Sequence, residues 1–272
     1  MNNYAIIMAG GSGTRFWPKG TLKLPKQFLC IEDDTESMIQ KTFKRLEPIF
    51  GATKIFIVTG VQHKAIVKKQ IPHIPDENII LEPFGRNTAP CIGLNCLFIK
   101  QFDEKANVLV VPSDHIIHNT TEFERVIKCG LEFIHENGGI VTLGIKPTKP
   151  ETGYGYIQYD SDDNYEIELS PETNGLNCER VYKVKTFAEK PTLEVAKAFL
   201  ESGDFLWNSG MFIFRNDTML EELQNNLPDL YNTLISLEKH IYSKDFPKLL
   251  EEAYSLIKGI SIDYGVMEKS NQ

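Results

Sequence analysis

Residues 6–29 read IIMAGGSGTRFWPKGTLKLPKQFL, an apolar run followed by glycines, cations and prolines. The run from Ala5 to Met8 is short, apolar and bounded by glycine, which predicts a strand buried on both faces of a parallel sheet. Gly10, Gly11 and Gly13 lack Cβ atoms, so the backbone after the strand can turn several N–H groups toward one point. The stretch therefore predicts a strand that ends in a phosphate-binding loop.

The two common glycine motifs do not fit this loop. The Rossmann pattern needs a third glycine where Phe16 stands, and the Walker pattern ends in Gly-Lys-Ser/Thr, which this stretch lacks. Arg15 and Lys26 follow the glycines instead. A planar guanidinium and a compact ammonium can clamp a triphosphate and follow charge onto a leaving pyrophosphate. For the bare G-G-S-G, a surface turn with solvated lysines remains an alternative.

Length and charge limit the class of protein. The chain has 272 residues, which allows one large α/β domain or two small ones, and 42% of them are hydrophobic. The net charge of −8 argues against a nucleic-acid partner or an anionic membrane surface. The cations near the glycine loop therefore suit a small anion.

The five cysteines are odd in number and scattered, with no C-x-x-C pair, so neither a disulfide framework nor a zinc site is indicated. They are typical of reduced cytosolic thiols. The chain reaches its first buried strand without a signal-peptide pattern, and no apolar run approaches the ~18 residues of a membrane span. We expect a soluble cytoplasmic protein.

The first half alternates strands and helices. Apolar spacing predicts a helix over 37–50, a strand over 54–59, a helix over 61–70 and a strand over 78–81. This alternation is typical of a doubly wound α/β sheet, in which ligands lie at the carboxyl ends of the strands. The following loops are therefore candidate binding segments.

Residues 82–90, EPFGRNTAP, form such a loop and open a predicted helix over 89–102. Asn87 or Thr88 can cap that helix and Pro90 suits its first turn, so capping alone is enough to explain the motif. A ligand role is the other possibility.

Asp114 follows a predicted strand over 107–111. Magnesium takes hard oxygen ligands and often only one or two protein carboxylates beside phosphate oxygens, so an aspartate at a strand end suits it. Capping of the next turn is the alternative. A helix over 122–136 and a strand over 139–143 follow.

The second half changes character. Residues 144–159, GIKPTKPETGYGYIQY, predict a hairpin in which Gly155 lets a flat substrate lie near the backbone, although a plain turn also fits. Residues 160–179 are polar and predict a long variable loop. A mostly helical region is predicted over 217–257, with new helices at Pro228 and Pro247.

Two further segments carry polar and charged side chains. FAEKP ends a predicted strand over 181–188, and LWNSGMFIF spans 206–214. Glu189 can accept hydrogen bonds from sugar hydroxyls, Lys190 can bind a phosphate, and the Asn208 amide can both donate and accept. A lone Glu-Lys-Pro is usually structural, but its pairing with WNSGMF is uncommon.

AGGSGTRFWP with PKQFL resembles the signature of sugar-1-phosphate nucleotidyltransferases, and its Phe-Trp-Pro variant is most similar to the mannose-1-phosphate guanylyltransferases. GRNTAP, FAEKP with WNSGMF, and SIDYGVMEK are further matches along most of the chain. The resemblance implies a single domain with a Rossmann-like, doubly wound mixed sheet. Its nucleotide half would span about 1–145 and its sugar half about 146–272.

The resemblance also assigns roles to residues. Catalysis would fall to Arg15 and Lys26. Nucleotide binding would fall to Ala9, Gly10, Gly11, Ser12, Gly13, Thr14, Arg86, Asn87 and Thr88, the last three facing the guanosine. Sugar-phosphate binding would fall to Gly155, Glu189, Lys190 and Asn208. Asp114 and Asp263 would hold Mg²⁺.

The implied reaction joins GTP and α-D-mannose 1-phosphate to give GDP-mannose and pyrophosphate. The sugar phosphate attacks the α-phosphorus in line, so positioning and charge stabilisation suffice. Another sugar 1-phosphate, or a non-catalytic nucleotide-sugar sensor, is the alternative. Relatives continue beyond residue 269 with a Gly-Trp-x-Asp segment and often a β-helical tail, which this sequence lacks. A homodimer is compatible with the resemblance.

Overall fold

The computed structural model describes residues 2–11, 18–31, 35–166 and 180–270. Within these ranges eight strands form one mixed sheet. In chain order they are β1 (Asn3–Met8), β2 (Ile55–Gly60), β3 (Ile79–Glu82), β4 (Asn107–Pro112), β5 (Ile140–Ile145), β6 (Gly155–Glu166), β7 (Arg180–Glu189) and β8 (Phe205–Arg215).

The α-helices of the same ranges pack on both faces of this sheet. They are α1 (Met38–Phe50), α2 (Lys64–Gln70), α3 (Thr88–Lys100), α4 (Thr120–Asn137), α5 (Leu193–Ser202), α6 (Asn216–Asn226), α7 (Pro228–Ile235) and α8 (Phe246–Leu256). One π-helical turn, Asp263–Met267, follows α8. None of the described helices is long and apolar enough to cross a membrane.

The sheet order is β3-β2-β1-β4-β8-β6-β7, and β5 pairs with β8 off this path. Strands β1 to β4 are mutually parallel, whereas β8 runs antiparallel to β4. The chain leaves β1 toward β2 on one side and returns to β4 on the other, so the order reverses between β1 and β4. Ligands of doubly wound folds bind at such a switch point, and the predicted doubly wound mixed sheet is confirmed.

The side chains of β1 alternate between the two hydrophobic cores, one on each face of the sheet. Ile6 packs with α3, whereas Ala5 and Ile7 pack with α1, because successive side chains of a strand point to opposite faces. Helix α1 begins at the predicted cap: the Ser37 hydroxyl accepts from the Gln40 backbone, and the Gln40 side chain accepts from the Ser37 N–H. The predicted helix starts at Pro228 and near Pro247 are also confirmed.

Strand β8 joins the two regions of the sheet. Its Trp207 pairs with Ile145 of β5 and Tyr156 of β6, whereas Phe214 pairs with β5 and with β4. One edge of β8 is therefore occupied by β5, and the other edge by β4 at one end and β6 at the other. The carboxyl end of β4 consequently faces the opening where β8 passes from β4 to β6.

The prediction of a loop over 160–179 is wrong for residues 160–166. Residues up to Glu166 continue β6 and pair with β7, with register shifts after Gln158 and between Asp160 and Asn164. The polar side chains mislead because they pair across the hairpin: Asp160 with Lys185, and Asp163 with Lys183. Residues 167–179 lie outside the described ranges.

Candidate active site

The glycine loop leaves β1 at the switch point and is anchored from two sides. The Ala9 N–H donates to the Val58 carbonyl of β2 at 2.8 Å. The buried Gln27 amide donates to the carbonyls of Ala9 (2.8 Å) and Gly11 (3.1 Å). These bonds fix the start of the loop. The predicted Ser12, Gly13, Thr14 and Arg15 lie outside the described residues.

Lys26 opens the short 3₁₀ turn Lys26–Phe28, and its Nζ lies 3.3 Å from Oδ2 of Asp114. Both side chains are partly exposed, at 25% and 41%. The Asp114 loop is itself held, because the Ser113 N–H donates to the Met8 carbonyl at 3.0 Å. The structure thus brings a predicted catalytic cation and a predicted metal ligand together beside β1.

Glu82 ends β3 at the same edge and is 4% exposed. The Tyr254 hydroxyl donates to its Oε1 at 3.1 Å, and a Cβ added at Gly10 would lie 3.2 Å from its Oε2. Burial raises the pKa of this carboxyl to about 7, against a smaller lowering by the Tyr254 hydrogen bond. A buried carboxylate with a strongly shifted pKa beside a phosphate loop is a functional candidate.

Residues 86–88 make contacts that the sequence did not reveal. The Arg86 guanidinium stacks over the Phe84 ring at 4.9 Å, and its Nε donates to the Tyr254 carbonyl at 2.9 Å. Asn87 caps α3 and has a positive φ of 71°. The Thr88 hydroxyl accepts from the Ile262 N–H at 2.8 Å. A guanosine contact by these three residues stays a prediction.

The residues predicted for the sugar side converge. The Asn208 amide of β8 donates to Oδ1 of Asp263 at 2.8 Å. A Cβ added at Gly155 would lie well inside 3.0 Å of Oε2 of Glu189, and 3.3 Å from Cβ of Asn208. A larger residue here would displace the Glu189 carboxylate, so glycine suits this close approach of β6, β7 and β8.

Lys190 adds the cation of this cluster. Its Nζ lies 2.7 Å from Oε1 of Glu189, and this hydrogen bond raises the pKa of the ammonium. The Lys190 side chain is 56% exposed and that of Glu189 is 11% exposed. The carboxylate is thus held inside while the ammonium remains accessible to a phosphate.

The π-helical turn brings a second acid to the cluster. Burial first, and then the charge of Glu189, raises the pKa of Asp263. Burial, with the charges of Glu189 and Asp263, also raises the pKa of Glu268. In an α-helix, side chains five residues apart point about 140° apart, and the wider π-turn reduces that angle. Asp263 and Glu268 can therefore both face Glu189.

The predicted metal ligands Asp114 and Asp263 lie at the same edge of the sheet. No hydrogen bond or ion pair joins Asp114 to Asp263 in the described part of the chain, and no three His, Cys, Asp or Glu side chains there form a metal cluster. Asp114 follows the carboxyl end of β4, and Asn208 lies near the start of β8, which runs antiparallel to β4, so both residues lie at the same edge of the sheet. Asp263 is bound to Asn208 and therefore lies at this edge as well. Such a pair leaves coordination positions for phosphate oxygens, as Mg²⁺ prefers.

Three contributors were missed from the sequence. Gln27 lies within the PKQFL motif, Glu82 opens EPFGRNTAP, and Glu268 lies in SIDYGVMEK. A lone acid directly after an apolar strand was the available signal for Glu82. Gln27 and Glu268 act through contacts with distant chain segments, which spacing along the sequence does not reveal.

A glycine loop at the switch point of a doubly wound sheet, facing a lysine and carboxylates, defines the α/β class whose strand ends bind phosphorylated ligands. A family model described as "Nucleotidyl transferase" matches residues 4–252. The chain belongs to this nucleotidyl transferase family.

Named relatives agree with this placement. A mannose-1-phosphate guanylyltransferase of Salmonella montevideo is 40% identical over 269 residues, which cover 98% of this chain and 54% of that protein. The chain thus spans about half the length of the curated relatives it matches.

Solved structures are also similar. A mannose-1-phosphate geranyltransferase from Thermus thermophilus gives a TM-score of 0.83 at 30% identity, covering 100% of this chain and 72% of that one. A mannose-6-phosphate isomerase from Helicobacter pylori gives 0.77 at 26% identity, covering 100% of this chain and 95% of that one. These similarities confirm the nucleotide-diphospho-sugar transferase type of fold.

Proposed function

We propose that this protein transfers GMP from GTP to α-D-mannose 1-phosphate, forming GDP-mannose and pyrophosphate. The observation that supports the proposal is the convergence of Gly155, Glu189, Lys190, Asn208 and Asp263 in one cluster, together with the Lys26–Asp114 pair. These residues come from distant parts of the chain and match the two substrates of one transfer. The 40% identity to the Salmonella montevideo guanylyltransferase supports the choice of substrates.

The nucleotide half, residues 1–145, binds the triphosphate of GTP at the carboxyl ends of β1 and β4. The N–H groups after Ala9 receive phosphate oxygens, and the bonds from Gln27 and Thr59 to the Ala9 carbonyl hold the start of that loop. Arg15 adds a guanidinium to this loop. Lys26 stabilises charge on the α-phosphate and on the departing pyrophosphate.

Glu82 supports guanine as the base. Above its pKa of about 7 the Glu82 carboxylate is ionised and only accepts hydrogen bonds. Guanine offers adjacent N–H donors where adenine offers a donor beside an acceptor. Oε1 of Glu82 is held by Tyr254, so Oε2 beside Gly10 is the oxygen left for a base. Asn87 and the rest of the 86–88 segment border the same strand end.

The sugar half, residues 146–272, binds mannose 1-phosphate. Glu189 accepts from sugar hydroxyls, Lys190 binds the phosphate, and Asn208 fixes Asp263. The sugar phosphate oxygen forms a bond to the α-phosphorus as the α–β phosphoanhydride bond breaks, and the electron pair leaves with pyrophosphate. No protein nucleophile is needed, since positioning and charge stabilisation are sufficient.

Asp114 and Asp263 would hold Mg²⁺, which when bound would neutralise oxygens shared by both substrates. We also place the reaction in the cytoplasm. Supporting this, the cysteines Cys30, Cys91, Cys96 and Cys129 of the described residues are free.

The test is a panel of nucleoside triphosphates and sugar 1-phosphates, assayed for pyrophosphate release with and without Mg²⁺. We expect release with GTP and mannose 1-phosphate, and little release with ATP or without metal. Release with a different pair only would assign another sugar nucleotide. A control arm follows conversion of mannose 6-phosphate, the substrate in the name of the Helicobacter pylori relative.

Calorimetric binding of GDP-mannose accompanies the panel. If GDP-mannose binds but no substrate pair releases pyrophosphate, the protein is a nucleotide-sugar sensor and not an enzyme. Neither binding nor release would overturn both functions.

A further inference from the structure

Residues 257–263 connect α8 to the π-turn and carry Asp263 at their end; we name them the C-terminal strap. The strap lies against residues 86–89 at the start of α3. The Ile260 N–H donates to the Arg86 carbonyl at 3.2 Å, and the Ala89 N–H donates to the Ile260 carbonyl at 3.1 Å. These two bonds hold Ile260 against the start of α3.

The third bond of this series uses a side chain. The Ile262 N–H donates to Oγ1 of Thr88 at 2.8 Å, directly before Asp263. Ile262 is 1% exposed, so its N–H is remote from water as a replacement partner. The Thr88 hydroxyl is therefore the last anchor of the strap before the carboxylate.

The strap and the α3 entry are closely packed. A Cβ added at Gly259 would lie 3.1 Å from the Arg86 carbonyl oxygen and 3.3 Å from the Arg86 carbonyl carbon. Both of these atoms are backbone, so neither can rotate away. The strap position is thus set by residues 86–89, and a small displacement there moves Asp263 relative to Asn208.

Asp263 is consequently held at two points: its backbone through Thr88 and its side chain through Asn208. Thr88 begins α3, which leads from β3 to β4 in the nucleotide half, whereas Asn208 lies in β8. We propose that Thr88 is a positioning residue that sets the place of the Asp263 carboxylate, with the sugar phosphate and its metal as the groups affected. This inference rests on the proposed function.

The proposal gives Thr88 a different role from a base contact. A base-contacting Thr88 would govern the preference for GTP over ATP. A positioning Thr88 governs the sugar-phosphate side and leaves base preference unchanged. The two roles are distinguished by whether substitution of Thr88 changes the preference for GTP over ATP or the KM for mannose 1-phosphate.

The test compares Thr88→Val, which keeps the shape and removes the acceptor, with Thr88→Ser, which restores it. Thr233→Val in α7 is the matched control, because its hydroxyl donates only to the Asp229 carbonyl of its own helix. Hydrogen exchange of the strap is measured first, and it needs no substrate. We expect exchange in Thr88→Val to rise about tenfold, with Thr88→Ser and Thr233→Val near wild type.

Kinetics then give the functional readout. We expect Thr88→Val to raise KM for mannose 1-phosphate and the Mg²⁺ requirement by about tenfold, with KM for GTP and the GTP-to-ATP preference unchanged. Gly259→Ala perturbs the same contact from the strap side and is expected to act in the same direction. If Thr88→Val does not fold, strap exchange and kinetics of Gly259→Ala test the proposal.

Unchanged strap exchange in both variants would overturn the proposal. Loss of GTP preference in Thr88→Val with normal strap exchange would also overturn it and return Thr88 to a base contact. If the wild-type protein released no pyrophosphate, the proposed function would fail separately. The exchange data would still show whether Thr88 anchors the strap.

Discussion

Asn208 donates its side-chain amide to Asp263 at 2.8 Å, although 55 residues separate them in the chain. The bond links the opening beside β4, where Asp114 lies, to the π-turn after α8. Because Asn208 is itself fixed by accepting from the Gly210 N–H at 2.9 Å, it holds Asp263 in one orientation. The two predicted metal ligands thus lie at the same edge of the sheet while coming from distant parts of the chain.

If the two aspartates share one ion, their substitutions will not be additive. We expect Asp114→Asn and Asp263→Asn each to raise the Mg²⁺ requirement and lower kcat, and the double variant to cost far less than the sum, as for ligands that act as a unit. Metal titrations of all four proteins measure this. Strictly additive losses would show that the two aspartates act independently and do not share an ion.

Lys26 is expected to act in the transition state. Lys26→Ala should lower kcat by about 10² to 10³, since the ammonium meets charge that grows during transfer. The folded state should be unaffected, because the side chain is partly exposed and its partner Asp114 is too. Lys105→Ala at the opposite edge is the control, with thermal unfolding of both variants. An unchanged kcat would remove Lys26 from the mechanism.

Glu82 is expected to make stability depend on pH. Burial raises its folded pKa from 4.5 to about 7, so between these values the folded state binds the proton more tightly and stability falls as pH rises. Glu82→Gln removes this charge. The free energy of unfolding of Glu82→Gln, relative to that of wild type, should therefore increase by about 3 kcal/mol when the pH rises from about 5 to about 8.

Urea unfolding at both pH values measures this difference, with Glu194→Gln on the exposed face of α5 as control. The same variant tests base choice, because a Gln amide offers one acceptor and one donor group where the carboxylate offers two acceptors. We expect Glu82→Gln to lose preference for GTP over ATP. If the difference in free energy of unfolding between Glu82→Gln and wild type did not change with pH, the Glu82 carboxyl would be solvated in the folded protein.

Gly155 tests the packing of the sugar side. In Gly155→Ala the new methyl group would displace the Glu189 carboxylate, since the added Cβ would lie well inside 3.0 Å of Oε2. We expect KM for mannose 1-phosphate to rise about tenfold or more, with KM for GTP nearly unchanged. Gly153→Ala is the matched control, because its Cβ would meet the Glu151 carboxylate at an ordinary 3.5 Å. Equal increases in KM for mannose 1-phosphate in Gly155→Ala and Gly153→Ala would show that Glu189 does not take part in sugar binding.

The sequence by itself determined the doubly wound core and the order of the loops at its edge. Apolar runs such as that before Gly10, and the cap at Ser37, are local signals, because strand burial and helix capping depend on neighbours within a few residues. Lys26 and Asp114 could be chosen from motifs for the same reason. Parallel strands then bring both to one edge.

Only the tertiary structure decided what the distant polar groups do. Asp160 and Asp163 appeared to be loop residues because their partners Lys185 and Lys183 lie on another strand. Glu82 acquires its pKa from burial and from Tyr254, 172 residues away, and Thr88 is recruited by Ile262 across 174 residues. These roles come from desolvation and hydrogen-bond partners that exist only in the folded chain, so residue spacing could not predict them.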